Sequence, residues 1–400
     1  MNNKKFNKII LIYIIIQPIL DALAGISNNV NFFNIKINII IRGLFLLFIG
    51  FYLVFICKNK YRKFNLIYLG MFILYYSLYA YVTYLYKDSS LLFFELKQSI
   101  MTFYFPITLL ALFNMKEDKL IKFDDKPSVI ALIIYLCLII IPNLFGLSFD
   151  AYDDGVGKLG FFNTANSISA ILSMLLPCAF IYFKDRVRYL ILFLIFFTLC
   201  VFSMGTKAVI LCLLIVLFIN GIYYYKKSKK KLDNKKKIVL LLAIIVIIGS
   251  LVFIGPKTAV YRNIKRRIEF LEIKDANDMI ENFDALVMSR RIKFLKKTNK
   301  LYLEANIPQK MVGIGHEFKL VEMDYFDIFY CNGLIGFILF FIPIIYIFKY
   351  ENKKKTKNFV SINRFSSLLI IILTSFLTGH VLIEPNASFF VVILLLMFND

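Results

Sequence analysis

The sequence predicts an all-α, polytopic integral membrane protein with about twelve membrane-spanning helices and a long charged loop on the outer face. Hydrophobic residues make up 60% of its 400 positions, and the mean hydropathy is +0.72. Soluble domains are only roughly half apolar. Apolar runs of the roughly 17 to 25 residues that cross a bilayer recur from end to end. Basic residues collect in short segments between those runs, the pattern that orients membrane proteins.

The apolar runs fall near 9–25, 37–57, 64–86, 91–113, 128–146, 164–183, 189–204, 207–225, 238–255, 327–348, 365–382 and 387–398. Residues 1–254 thus carry nine helices, 255–326 form an extracytoplasmic loop with short amphipathic helices, and 327–400 carry the last three. Met1 to Ala24 has a lysine-rich start and an apolar stretch but no small-residue cleavage site, so it reads as an uncleaved first span.

A net charge of +22 would suggest a nucleic-acid partner in a soluble protein, yet here it lies between apolar runs and reads as topology. One side holds Lys4, Lys5 and Lys8, then Lys58 to Lys63, Lys116 to Lys126 and Lys184 to Arg188. Eight lysines between Lys226 and Lys237 and six basic residues between Lys349 and Arg364 follow on that side. The opposite short loops are nearly free of them, and 148–163 carries Asp150, Asp153 and Asp154 against Lys158. Both termini are then cytoplasmic. The loop from Gly255 to Tyr325 falls outside although it is basic, because long loops translocate largely regardless of charge. The six cysteines, Cys57, Cys137, Cys178, Cys200, Cys212 and Cys331, form no CxxC pair and read as small hydrophobes.

An ionisable group inside hydrocarbon costs about 2.5–3.5 kcal/mol, so those retained are functional candidates. In this topology the polar and charged groups collect in the outer leaflet: Gln17 and Asp21, Arg42, Glu95 and Lys97, Asn163 and Asn166, Lys207, His380 and Glu384. Taken singly they suit interfacial anchors or helix pairs, such as Asp21 with Arg42. Taken together, Arg42, Lys97 and Lys207 under a basic loop suit an anionic lipid or a diphosphate. The loop carries Arg262, Lys265, Arg266 and Arg267, then Arg290, Arg291, Lys293, Lys296, Lys297 and Lys300, with Phe270, Ile292, Leu295 and Leu301 interleaved. Such helices lie on anionic headgroups. Arg290 and Arg291, behind Ser289 as a helix N-cap, are the better diphosphate candidates. Glu322, Asp324 and Asp327 then crowd the mouth of a membrane helix, where carboxylates either cap the N-terminus or act as general base.

Several motifs occur in order: Gln17-Pro18-Ile19-Leu20-Asp21, Ser203-Met204-Gly205-Thr206-Lys207, Gly313-Ile314-Gly315-His316, Glu322 to Asp327, Gly333-Leu334-Ile335-Gly336 and Gly379-His380-Val381. With the layout of spans, this order resembles the O-antigen ligase and O-antigen polymerase family of bacterial surface-polysaccharide enzymes, particularly its Gram-positive members. The resemblance covers nearly the whole chain. It implies a C-type glycosyltransferase-like fold with a large outer loop between helices 9 and 10. It also implies a polyprenyl-diphosphate-linked glycan donor, a glycan acceptor, and neither metal nor cofactor. Arg290 and Lys207 look like the family's cationic positions, Lys207 standing where many relatives have arginine. Ligases carry a histidine where this chain has Glu322 to Asp324, so Glu322 or Asp324 replaces it, His316 serves from nearby, or the acceptor differs.

The reaction implied is attack of an acceptor hydroxyl on the donor's anomeric carbon with diphosphate leaving, at the extracytoplasmic face of the plasma membrane, in capsule or cell-wall polysaccharide assembly. Membrane lipids and polysaccharide-assembly proteins are the further partners expected. His316 and His380 have no spaced partner of the kind a metal site needs. The alternative is a lipid-linked oligosaccharide flippase or exporter, which should show internal repeats and charge near the midplane. The sequence has no such repeat, and its polar groups lie toward one face.

Overall fold

The computed structural model describes residues 3–30, 37–87, 89–151, 155–228, 259–271, 278, 282–286, 288–318, 320–350 and 358–398. The predicted ninth span at 238–255, the lysines at 229–237 and 353–357, and Asp153 and Asp154 lie outside the described residues. Lipid offers a backbone no hydrogen-bonding partner, so spanning segments must satisfy their own amides, and every regular element among the described residues is a helix.

In chain order these are α1 (Asn3–Val30), α2 (Ile37–Phe51), α3 (Arg62–Tyr86), α4 (Leu92–Glu117), α5 (Asp125–Leu144), α6 (Ala165–Tyr182), α7 (Val187–Met204) and α8 (Lys207–Ser228). Three longer helices of the predicted loop follow, α9 (Ala259–Phe270), α10 (Arg291–Glu304) and α11 (Ile307–Val312), with a single helical turn at Phe283–Leu286 between the first two. The chain closes with α12 (Asp324–Tyr350), α13 (Phe359–Leu377) and α14 (Pro385–Phe398). Nine helices among the described residues are long and apolar enough to cross a membrane, and Lys207–Tyr223 and Pro385–Phe398 are shorter apolar helices. The expected twelve spans thus stand as nine of full length and two shorter ones among the described residues.

The short α14 has a physical reason. It packs against α1, α4, α6 and α13, and nearly all its side chains are buried in protein. A helix enclosed by others need not match the bilayer thickness. The peripheral α2 and α3 instead turn Leu44, Leu47, Phe51, Ile73 and Leu74 outward, as lipid-facing helices do.

At one end of the bundle, helices are joined by reciprocal polar pairs. The amides of Asn65 and Asn114 exchange hydrogen bonds of 3.0 and 3.2 Å. Asn220 and Asn363 do the same at 3.0 Å in both directions. Arg364 donates to both oxygens of Asp125 at 2.6 and 2.8 Å. Such bonds hold helices together where apolar contact alone does not favour protein over lipid.

α12 is broken at Gly333, whose φ of 65° and ψ of −175° lie in a region open almost solely to glycine. The break leaves the Asn332 carbonyl without its helical partner, and the buried Tyr75 hydroxyl lies 3.1 Å from it. A Cβ at Gly333 would stand 2.4 Å from the Gly313 nitrogen, so two strands of backbone touch here. Gly333→Ala should therefore cost more than the ~1 kcal/mol of an ordinary left-handed site, and the folded yield in detergent should fall sharply. Gly70→Ala, on a helix face with nothing within 4 Å, should leave yield unchanged. Equal yields would show that the break is not required.

Candidate functional site

The opposite end gathers the polar groups that the sequence placed in one leaflet, and it holds them by four buried carboxylates. Asp21 on α1 pairs with Arg42 of α2 and accepts from the Tyr135 hydroxyl of α5 at 2.5 Å. Arg42 also donates to Gln17 through Nη2 at 3.1 Å and Nε at 3.3 Å. These bonds fix the guanidinium and leave its Nη1 without a partner among the described residues. Glu95, wholly buried on α4, pairs with Lys87 and accepts from Tyr79 at 2.7 Å. It also accepts from the His316 backbone N–H at 2.8 and 2.9 Å, and His316 Nδ1 lies 3.0 Å away. The turn at Gly313 to His316 is thereby locked onto α3 and α4, which requires positive φ at Gly313 and Gly315.

The remaining two carboxylates sit in the first turn of α12. Asp324 accepts from Val381 and Leu382 at 2.9 and 2.8 Å, fastening α12 to the connection between α13 and α14. Asp327 accepts from Val321 and Met323 at 2.8 and 3.1 Å. Asp324 is fully buried, and its hydrogen bonds run to backbone amides. Glu322 is different. Its carboxylate is 33% exposed, its residue has a φ of 62°, and it meets Arg291 Nη2 at 3.0 Å.

Arg291 is otherwise buried, donating to the Glu322, Met288 and Thr378 carbonyls at 3.0, 3.5 and 3.3 Å. It lines a cavity of about 210 Å³ with Lys207, Asn166, Ser169, Asn263 and Ser289. The structure thus brings Arg291 and Lys207 together with Glu322 beside them. Arg290 instead lies over the Phe270 ring at 5.9 Å, and its φ of 66° turns it away from its neighbour. The expected Ser289 cap is replaced: the Asp284 carboxylate accepts from the Ile292 and Lys293 amides at 2.9 and 3.0 Å. Asp284 lies too far along the chain for a cap motif to reveal it.

Three further cavities occupy the same end. One of about 340 Å³ is lined by both histidines of the chain, His316 and His380, with Gln98, Asp327, Asn332 and Glu384. His380 Nδ1 lies 3.1 Å from Glu384 Oε1, so each histidine has a glutamate on its Nδ1 side. A second cavity, of about 220 Å³, is lined by Asp21, Arg42, Lys97, Asn163 and Glu384, and the third, an apolar groove, borders Arg42 and Lys97. Among the described residues no three His, Cys, Asp or Glu side chains converge as a metal site. Tyr79, Lys87 and Tyr135 complete these networks without any sequence signal, since each meets its carboxylate only through tertiary packing.

A multi-pass helical membrane protein that gathers cations, carboxylates and histidines at one end of its bundle carries ionisable groups of the kind that mark functional sites in membranes. The family of O-antigen ligase like membrane proteins matches residues 3–284 and 275–398, and the chain belongs to it. Membership carries glycosyltransferase-type activity, with glycan ligation or polymerisation at the membrane and a lipid-linked glycan donor. Comparison with curated proteins and with solved structures finds no match.

Burial lowers the affinity of His380 for its proton, but the hydrogen bond and charge of Glu384, with Asp324 and Glu322 behind, outweigh it and raise the pKa from 6.5 to about 9. The folded value lies above the unfolded one, so the stabilisation is complete below about pH 6.5 and lost as pH rises through about 9. Melting temperature in detergent should decline from pH 7 to pH 9.5, and His380→Gln should flatten that decline. An unchanged slope in the variant would assign it to another group.

Proposed function

We propose that the chain transfers or polymerises polyprenyl-diphosphate-linked glycan onto an acceptor hydroxyl at the outer face of the plasma membrane, in capsule or cell-wall polysaccharide assembly. The observation that carries this is the cavity lined by Lys207 and Arg291, of which Arg291 is paired with the part-exposed Glu322 carboxylate. Two cations at the edge of a low-dielectric bundle match the charge of a diphosphate and stabilise it as a leaving group. The outward orientation follows from the basic residues at the other end, among them Lys58, Lys116, Lys184 and Lys349.

The chemistry follows from one exchange of partners. In the resting chain Arg291 Nη2 bonds to Glu322 Oε2 at 3.0 Å. A phosphate oxygen competes for that donor, and the freed carboxylate, already 33% exposed, turns toward the acceptor. The acceptor oxygen then attacks the anomeric carbon, its proton passes to Glu322, and the bond from that carbon to the phosphate oxygen breaks. The charge that appears on the departing lipid diphosphate rests against Arg291 and Lys207. Asp324 serves as a fastener in this scheme, because both of its amide partners are needed to hold 379–382.

Transfer should be measured with protein in nanodiscs and a purified lipid-diphosphate glycan. Arg291→Ala should lower the rate by about 100-fold or more, as loss of one transition-state donor does. Glu322→Gln keeps an acceptor for Arg291, so donor binding should persist while kcat falls by about 100-fold. Wild-type rates in Glu322→Gln would remove it as the base. Products lengthening as a ladder identify a polymerase, and a single addition identifies a ligase.

A further inference from the structure

The residues of α10 divide between two faces. Arg291, Leu295, Thr298 and Tyr302 recur at three- and four-residue spacing and pack inward. Arg291 and Thr298 are buried, and Leu295 and Tyr302 lie against the small cluster around Val321 and Tyr330. Lys293, Lys296, Lys297 and Lys300 recur with the same spacing on the opposite side, and all four are exposed. Among the described residues this face carries one ion pair, Lys300 with Glu304 at 3.9 Å. Four lysines against one carboxylate leave a strip of unbalanced positive charge.

The depth of the helix identifies what the strip meets. The Tyr302 ring centroid lies 5.1 Å from that of Phe329 and 5.4 Å from that of Tyr330. Those residues stand about 8–9 Å along α12 from its first residue. Next in the chain, α11 packs against α3 and α12, and the Val312 carbonyl accepts from the Tyr75 hydroxyl at 3.2 Å. Tyr75 lies roughly 16 Å along α3 from its end at Tyr86. The elbow between α10 and α11 therefore stands at a level that both spanning helices occupy. There Leu303 is 64% and Ile307 76% exposed, and Leu78 of α3 and Leu334 of α12 are exposed as well. Arg291, at the other end of α10, is level with Glu322 and Thr378, before the first turn of α12. The lysines thus lie between the rim of the bundle and an apolar elbow, the arrangement of a helix at a membrane interface.

We propose that the lysine face of α10 binds the headgroups of anionic phospholipids in the leaflet beside the site, while Leu303 and Ile307 enter their acyl chains. A soluble polyanion would match the lysines equally well. It would leave Leu303 and Ile307 in water, and that apolar pair decides between the two. One helix then meets phosphate on both sides, with Arg291 turned inward and the lysines outward. Anchoring the outer face holds Arg291 at its cavity. That consequence rests on the transfer reaction proposed above, whereas the lipid binding does not.

The chain has no tryptophan, so Ile307→Trp supplies a single fluorophore at an exposed position. In nanodiscs, phosphatidylcholine and phosphatidylglycerol brominated on their acyl chains compete to quench it. Either lipid alone should quench, and in mixtures the relative binding constant should favour phosphatidylglycerol by about fivefold or more, the effect of one lysine at an anionic surface. Adding Lys293→Gln, Lys296→Gln, Lys297→Gln and Lys300→Gln together should make the two lipids equivalent. Absence of quenching by either lipid would take the elbow out of the membrane and overturn the proposal. So would a relative binding constant that the four substitutions leave unchanged. A quadruple variant that keeps its lipid preference but no longer binds dextran sulfate would assign the face to a soluble polyanion and refute the phospholipid. No glycan is present in these measurements, so their outcome is independent of the transfer reaction.

Discussion

A carboxylate buried in a membrane bundle must be answered by donors, and that requirement shapes one whole end of this protein. Asp21, Glu95, Asp324 and Asp327 each lie at or below 6% exposure; the first three bind segments distant in sequence, and Asp327 binds the turn just before its own helix. Asp21 ties α1 to α2 and α5, and Glu95 ties α4 to α3 and to the turn before α12. Asp324 and Asp327 draw 381–382 and 321–323 onto the first turn of α12. Removing one partner of such a pair costs about 3–5 kcal/mol, more than the pair adds over an apolar replacement. These groups consequently specify position rather than supply bulk stability.

Two cationic places result, and they differ in how they are held. Arg42 is fixed by Asp21 and Gln17, so its charge is presented in one orientation, and Lys97 lines the same groove. Arg291 is held by backbone carbonyls and by Glu322, a partner exposed enough to be displaced. A fixed cation suits anchoring, and an exchangeable one suits a step in which a carboxylate must be released. Between them lie Thr378 to Glu384, with Gly379 and His380 both at positive φ, and His380 lining the cavity it shares with His316.

Much of the scaffold was legible because apolar run length is a property of the chain alone. The runs predicted at 64–86 and 189–204 are α3 and α7 to within two or three residues. The gathering of Gln17, Asp21, Arg42, Glu95 and Lys97 at one end was equally legible, since it needs only depth along each helix, and the Asp21 pair with Arg42 was among the expectations. Partner choice was not. Whether Arg290 or Arg291 faces the cavity depends on a left-handed backbone at both Ser289 and Arg290. That Asp324 fastens while Glu322 remains accessible depends on where 379–382 returns, some 57 residues later. The break at Gly333 also escaped, because a GxxG pair marks close packing as readily as a kink.

In the proposed reaction, the exchange of Arg291 from Glu322 to a diphosphate is the step on which catalysis turns. Its most direct measurement is a cryo-electron microscopy structure in nanodiscs with a non-transferable lipid-diphosphate glycan. Diphosphate density between Lys207 and Arg291, with the Glu322 carboxylate released from Arg291, is the predicted result. Diphosphate bound elsewhere while the Arg291 to Glu322 bond persists would contradict it.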